Sequence, residues 1–137
     1  MKIFFDTNVL VAAFISHGAC AELFDHCLKN HTSYTSEFVV NELLGKLTGK
    51  FKLPEAKVLW ASNHIRTHAI ITGEALLSTP FSRDRDDDHI LAAAIKADVD
   101  CIITGDNDLL DLKKVHGIPI ISPRDFWKFE EKFKAGF

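Results

Sequence analysis

The sequence predicts an α/β fold: a parallel sheet of about five strands, covered by helices on both faces in three layers. Three observations point there. The runs from Lys2 to Phe5, Cys101 to Thr104 and Ile118 to Ile121 are short and apolar almost throughout. Strands buried on both faces read this way, whereas half-exposed strands alternate. Segments of helical periodicity separate these runs, the pattern of repeated βαβ units. Finally, no internal repeat and no Gly/Ser- or Pro-rich linker interrupts the 137 residues, so residues 1–137 read as one domain.

The elements follow in order. After the first strand, Thr7 can cap a helix through Val9, Leu10, Ala13 and Phe14 that ends near His17-Gly18. Ala19 to Leu28 reads as a second helix. Ser33 to Thr35 is a short strand that runs into a helix from Ser36 to about Leu47. Gly49 to Leu53 breaks the pattern, and Pro54 suits the first turn of the next helix. His68 to Thr72 is rich in β formers. Leu76 to Asp87 is polar, contains Pro80 and reads as a loop, with a helix from Asp88 to about Ala97. The strand at Cys101 to Thr104 ends in Gly105 and a turn of acids. Ile118 to Ile121 is the last strand, and Ser122-Pro123 opens a C-terminal helix through Trp127 and Phe133.

Composition is that of an ordinary globular chain, with 47% hydrophobic and 26% charged residues. A chain of this length buries roughly two-thirds of its unfolded surface and needs no disulfide or structural metal to fold. Cys20, Cys27 and Cys101 are odd in number and lack C-x-x-C spacing, so they read as small buried hydrophobes in a reducing compartment. The start reaches Asp6 too soon for a signal peptide, and no segment has the length of a membrane span, which makes a cytoplasmic location the expectation. Net charge is −3. Nucleic-acid binders that grip by bulk charge are usually basic. A bound divalent cation would reconcile an acidic chain with phosphate, because it inverts the local charge.

In parallel α/β sheets, ligands bind beyond the carboxyl ends of the strands. Acids collect there. Asp6 follows the first strand, Asp106 and Asp108 follow Ile102-Ile103-Thr104, and Asp84, Asp86, Asp87 and Asp88 precede the helix leading into that strand. Singly, each has an ordinary reading as turn former, cap or dipole partner. Jointly they offer the oxygen ligands that a hard divalent cation needs. Glu42 is ambiguous. Val39, Val40, Leu43, Leu44 and Leu47 form the apolar stripe of its helix, and Glu42 points away from the stripe's centre. Periodicity alone makes it a solvated glutamate.

Four segments carry a family resemblance. Ile3-Phe4-Phe5-Asp6-Thr7-Asn8-Val9-Leu10 resembles the opening strand and first acid of PIN domains. Ser36-Glu37-Phe38-Val39-Val40-Asn41-Glu42-Leu43 is similar to their second acidic motif, Asp87-Asp88-His89-Ile90-Leu91-Ala92-Ala93-Ala94 to the third, and Thr104-Gly105-Asp106-Asn107-Asp108-Leu109 to the fourth. The motifs stand in family order and span Ile3 to Leu109.

The resemblance implies an acidic pocket at the carboxyl edge of the sheet. By position, its metal-binding and catalytic acids would be Asp6, Glu42, Asp88 and Asp106. Asp87 is a rival for the third place, because the acid run permits a shift of one residue. Asp108 would be an auxiliary acid, and Thr7, Asn8 and Thr104 would orient ligands or water. The implied activity is hydrolysis of RNA phosphodiesters with Mg²⁺ or Mn²⁺, without a Ser, Cys or His nucleophile. The implied role is that of a toxin in a toxin–antitoxin pair, with an antitoxin partner and a homodimeric state. A PIN fold that binds without cutting, or a metal-dependent nuclease or phosphohydrolase acting on structured DNA, is the alternative. A phosphoacceptor signalling domain does not fit, since Pro119 to Pro123 lacks the Lys it requires.

Lys46, Lys50 and Lys52 after Glu42, and Arg83 and Arg85 before Asp88, are candidates to hold the substrate backbone. Lys113 and Lys114 are weaker ones. His89 adjoins the acids but reads as a helix-surface histidine, and no H-E-x-x-H pattern marks a zinc hydrolase.

Overall fold

Ile3, Phe4 and Phe5 offer no polar side chain to water, and all three are buried at the centre of a sheet. The structure, a computed structural model, describes residues 1–81 and 84–136. Among these residues the strands are β1 (Lys2–Phe5), β2 (Thr32–Thr35), β3 (Ala69–Ile71), β4 (Cys101–Ile103), β5 (Lys114–Val115) and β6 (Ile118–Ile121). Their order across the sheet is β3-β2-β1-β4-β6-β5. The first four neighbouring pairs are parallel. The five parallel strands agree with the expectation from the sequence.

The sixth strand does not appear in the sequence reading. β5 is antiparallel to β6 and joins it through His116-Gly117. Both linking residues have positive φ, 47° and 78°, as two-residue hairpin turns of the I′ type require. Two residues are too few to show an alternating pattern, so the run around Lys114 carries no strand signal.

The helices are α1 (Thr7–Ile15), α2 (Ala19–Asn30), α3 (Glu37–Gly49), α4 (Glu55–His68), α5 (Arg85–Ala97), α6 (Asn107–Leu112) and α7 (Phe126–Lys134). The steps from β1 to β2 to β3 run one way across the sheet, and those from β3 to β4 to β6 run the other. Because crossovers between parallel strands are right-handed, α1–α4 cover one face and α5–α6 the other. Within the first layer α1 packs on α2 and α3, and α3 on α4.

Core packing follows the apolar stripes. α3 buries Val39, Val40, Leu43 and Leu47. α5 buries Ile90, Leu91, Ala92, Ala93 and Ala94, and its small alanines let it lie close to its neighbours. All three cysteines are free; Cys27 and Cys101 are buried as expected, Cys20 is only half-buried, and burial pushes the Cys27 thiol up to about 12. Such a thiol is a packing group and not a nucleophile. Among the described residues, no single helix is long and apolar enough to cross a membrane.

Three local features differ from the sequence reading. Asp6 caps α1, in place of Thr7, and its side chain accepts from the Thr7 amide. The turn of acids at Asp106 continues as helix α6, with Asp106 as its cap. α5 begins at Arg85, three residues before the expected Asp88, because the Asp84 side chain accepts from the Asp86 amide and caps the helix there. That earlier start puts Asp86, Asp87 and Asp88 on the helix, where adjacent side chains stand about 100° apart.

Candidate functional site

The parallel register places Asp6. Phe5 pairs with Ile103, so the next residues, Asp6 and Thr104, emerge side by side at the carboxyl edge. Asp6 is 5% exposed, and both of its carboxylate oxygens are held. Oδ1 accepts from the Thr7 amide at 2.7 Å, and Oδ2 accepts from the Thr104 hydroxyl at 2.7 Å. Burial pushes this carboxyl above its ordinary value of 3.8. The two hydrogen bonds oppose the rise, while repulsion from Asp106 and Glu42 adds to it.

Thr7 also faces α3. Its hydroxyl donates to Glu42 Oε1 at 2.7 Å, so Glu42 turns toward the site although it lies off the helix's apolar stripe. One turn later Lys46 donates to Asn8 Oδ1 at 2.9 Å. Asp106 is positioned from its own loop. Its amide donates to Thr104 Oγ1 at 3.0 Å, and its Oδ1 accepts from the Asp108 amide at 3.0 Å. Thr104 therefore holds both Asp6 and the Asp106 backbone.

Helix phase separates Asp87 from Asp88. In α5, Ile90 and Leu91 are buried, and Asp87 stands three and four residues before them on the same face. Asp87 is 7% exposed. Its carboxylate lies within 4.8 Å of those of Asp106 and Asp108. Asp88, about 100° further round the helix, points elsewhere. Its Oδ1 accepts from the Phe81 amide at 3.1 Å, and it lines a separate cavity with Glu74, Arg85 and His89. The structure thus brings Asp6, Glu42 and Asp106 together with Asp87, and not with Asp88.

These groups surround a cavity of about 140 Å³. Among the described residues, Asp6, Glu42, Asp84, Asp86, Asp87 and Asp106 supply six carboxylates to its wall, against the single ammonium of Lys46. Carboxylates this close repel one another. Among the described residues the donors are all hard oxygens, Asp6 and Asp87 are buried, and no imidazole or thiol intervenes, a set that fits Mg²⁺ or Mn²⁺.

The remaining described candidates fall outside the wall. Lys50, Lys52, Lys113 and Lys114 are exposed, Arg85 borders the Asp88 cavity, and Arg83 lies outside the described residues. His89 stacks on Phe38 at 4.2 Å and contacts Glu74 at 2.8 Å, a surface arrangement. Asp84 and Asp86 line the cavity, at the edge where the sequence placed the acid run, whereas the Lys46–Asn8 contact was not foreseen. The Lys46 and Glu42 spacing, i and i+4, was the available signal for the lysine.

The chain matches the family described as PIN domain over residues 2–108. It belongs to the PIN-domain family. That match covers every strand edge and acid of the cavity, while the β5–β6 hairpin and α7 lie beyond it. Solved structures extend the likeness of this PIN domain over most of its chain. The Rickettsia felis VapBC2 structure, bound to a DNA fragment from its promoter, aligns with a TM-score of 0.62 at 17% identity, covering 89% of this chain and 98% of that one. Mycobacterium tuberculosis VapC20, described as a sarcin-ricin loop cleaving toxin, aligns at 0.61 and 14%, covering 85% and 98%. Neisseria gonorrhoeae FitAcB aligns at 0.53 and 14%, covering 89% and 98%. The chain has no significant match among curated protein sequences.

Proposed function

We propose that this PIN domain is an endoribonuclease dependent on Mg²⁺ or Mn²⁺, with Asp6, Glu42, Asp87 and Asp106 as its principal acids. The observation that carries the reading is the cavity wall, where among the described residues six carboxylates face one lysine. Asp87 replaces the Asp88 favoured by the sequence, on the strength of the α5 helix phase. Asp108, within 4.8 Å of Asp87 and Asp106, is the auxiliary acid.

Bound metal would supply an activated water and offset the charge on the leaving oxygen of the scissile phosphodiester. The chain's own residues prepare for this. Thr104 and the Thr7 amide hold Asp6 with its oxygens fixed, and the Thr7 hydroxyl fixes Glu42. Lys46 offers the positive charge that receives the substrate's phosphate backbone. Cysteine and histidine are missing from the described cavity wall, which suits hydrolysis without a covalent protein intermediate.

The proposed role is the toxin of a toxin–antitoxin pair in the cytoplasm, acting as a homodimer and held by a cognate antitoxin. Its support is the likeness in fold to VapBC2, VapC20 and FitAcB. The test is incubation of pure protein with a diverse RNA pool, with and without EDTA. Cleavage that EDTA stops and Mn²⁺ or Mg²⁺ restores is the expected result. A protein that binds RNA or an antitoxin yet never cuts with either metal would be a binding module instead.

A further inference from the structure

Three donor atoms converge at the edge of the sheet opposite the acids. His31 directly precedes β2 and so stands at the amino edge, where it ends α2; His26 lies on that helix, and Glu130 lies on α7. The Nε2 atoms of both imidazoles stand 2.6 Å from the same oxygen, Glu130 Oε2. The three side chains are not solvated surface groups. Those of Glu130 and His31 are 8% and 6% exposed, and that of His26 is 27% exposed. Each ring is also steered from behind, His31 Nδ1 by the Met1 amine at 3.1 Å and His26 Nδ1 by Asn30 Nδ2 at 3.3 Å. Both rings therefore aim Nε2 at the carboxylate.

We infer that His26, His31 and Glu130 form a second metal site, built for a zinc-class transition-metal ion. Two imidazoles and one carboxylate are a donor set that Zn²⁺ takes with water in the fourth position. The acidic cavity, by contrast, offers only oxygen and suits harder cations. The two sites thus select different metals by ligand chemistry and lie at opposite edges of the sheet. Zn–N and Zn–O bonds of roughly 2.0–2.2 Å in a tetrahedron separate the donors by about 3.3 Å. The donor atoms already lie within 4.8 Å of one another, so moving from the 2.6 Å contacts to that spacing needs only small side-chain shifts. His26, the most exposed of the three, has the room to make them. On binding, each ring moves its proton from Nε2 to Nδ1. The Met1 amine, having released a proton to solvent, then accepts from His31 Nδ1 in its neutral form. The Asn30 amide keeps its bond to the His26 carbonyl and leaves His26 Nδ1–H to water. The ion would then tie α7 to the α2–β2 junction.

The test uses the full chain carrying Asp6→Asn and Asp106→Asn, so that the acidic cavity cannot account for uptake and no cleavage is read. Calorimetric titration with Zn²⁺, together with visible absorption of Co²⁺ as a spectroscopic probe, measures the site. The expected result is one Zn²⁺ per chain and a higher thermal midpoint when it is bound. Adding His26→Gln or Glu130→Gln weakens uptake at least about 10-fold, the loss typical even of groups that only support a ligand. Partly exposed His26 makes its variant the one that keeps the fold if Glu130→Gln does not. The proposal is overturned if the double variant takes up no Zn²⁺, or if the His26→Gln chain folds and takes it up unchanged. The trio would then be a hydrogen-bonded clamp between α2 and α7. Either result stands apart from whether the acidic cavity cuts RNA.

Discussion

The Thr7 hydroxyl donates to Glu42 Oε1 at 2.7 Å, joining the first turn of α1 to the middle of α3. Thr7 follows Asp6 directly, and its amide holds that carboxylate. One residue therefore sets two acids of the cavity, one through its backbone and one through its side chain.

Thr7→Val keeps the amide and the shape but loses the hydroxyl. Glu42 then regains freedom to turn toward solvent. RNA cleavage is expected to fall by roughly 10-fold or more, with stability lowered by about 1 kcal/mol for the lost hydrogen bond. Initial rates and a denaturant titration measure the two effects. A variant as active as wild type would show that Glu42 needs no positioning.

Helix phase separates two adjacent acids. Asp87→Asn is expected to abolish metal-dependent cleavage, by about 100-fold or more, since a neutral amide is a poor ligand for a hard cation. Asp88→Asn is expected to retain most activity, because the Asp88 side chain faces the Phe81 amide outside the cavity. The reverse order of losses would return the third place to Asp88.

Asp6→Asn probes the strain of the metal-free cavity. A carboxyl whose folded pKa is raised contributes stability below its ordinary value, 3.8 here, and that stability is lost as pH rises through the folded value. At neutral pH the ionised Asp6 is a cost, which Asn removes while it can still cap α1. Without metal, the variant's thermal midpoint at pH 7 is expected to equal or exceed that of wild type, and the difference to close as pH falls toward 4. Mn²⁺ at 100 times its dissociation constant is expected to stabilise wild type by about 2.7 kcal/mol and the variant far less. A variant several degrees less stable that still responds fully to Mn²⁺ would make Asp6 only a helix cap.

Lys46 is the lone cation on the described cavity wall. Lys46→Ala is expected to raise the KM for RNA more than it lowers kcat. It is also expected to flatten the dependence of log affinity on log salt by about 0.7, the loss of roughly one phosphate contact to a single strand. RNA binding to a cleavage-defective Asp106→Asn background, measured at several salt concentrations, gives the slope. An unchanged slope would place the phosphate contact elsewhere.

Much of the architecture was legible in the sequence because it depends on local composition. Runs such as Ile3-Phe4-Phe5 and Cys101-Ile102-Ile103 are apolar on both faces, so only a covered sheet accommodates them. Acids that follow such strands within one to three residues emerge at its carboxyl edge, and Asp6 and Asp106 do. β5 escaped because a two-residue strand has no periodicity, and α6 because acids that cap a helix also form turns.

Position along the chain by itself determined the parallel α/β class, the buried stripe of α3 and the edge on which the acids gather. Only the tertiary structure decided which side chains meet there. Asp87 faces the cavity and Asp88 does not because Asp87 shares the helix face of buried Ile90 and Leu91, and adjacent helical side chains stand about 100° apart. Glu42 joined the site because α1 packs beside α3 and presents Thr7 to it, and Glu130 met His26 and His31 across about a hundred residues of chain. Strand and helix arise from neighbours in sequence, whereas a carboxylate is directed by whatever group the folded chain brings within hydrogen-bonding reach.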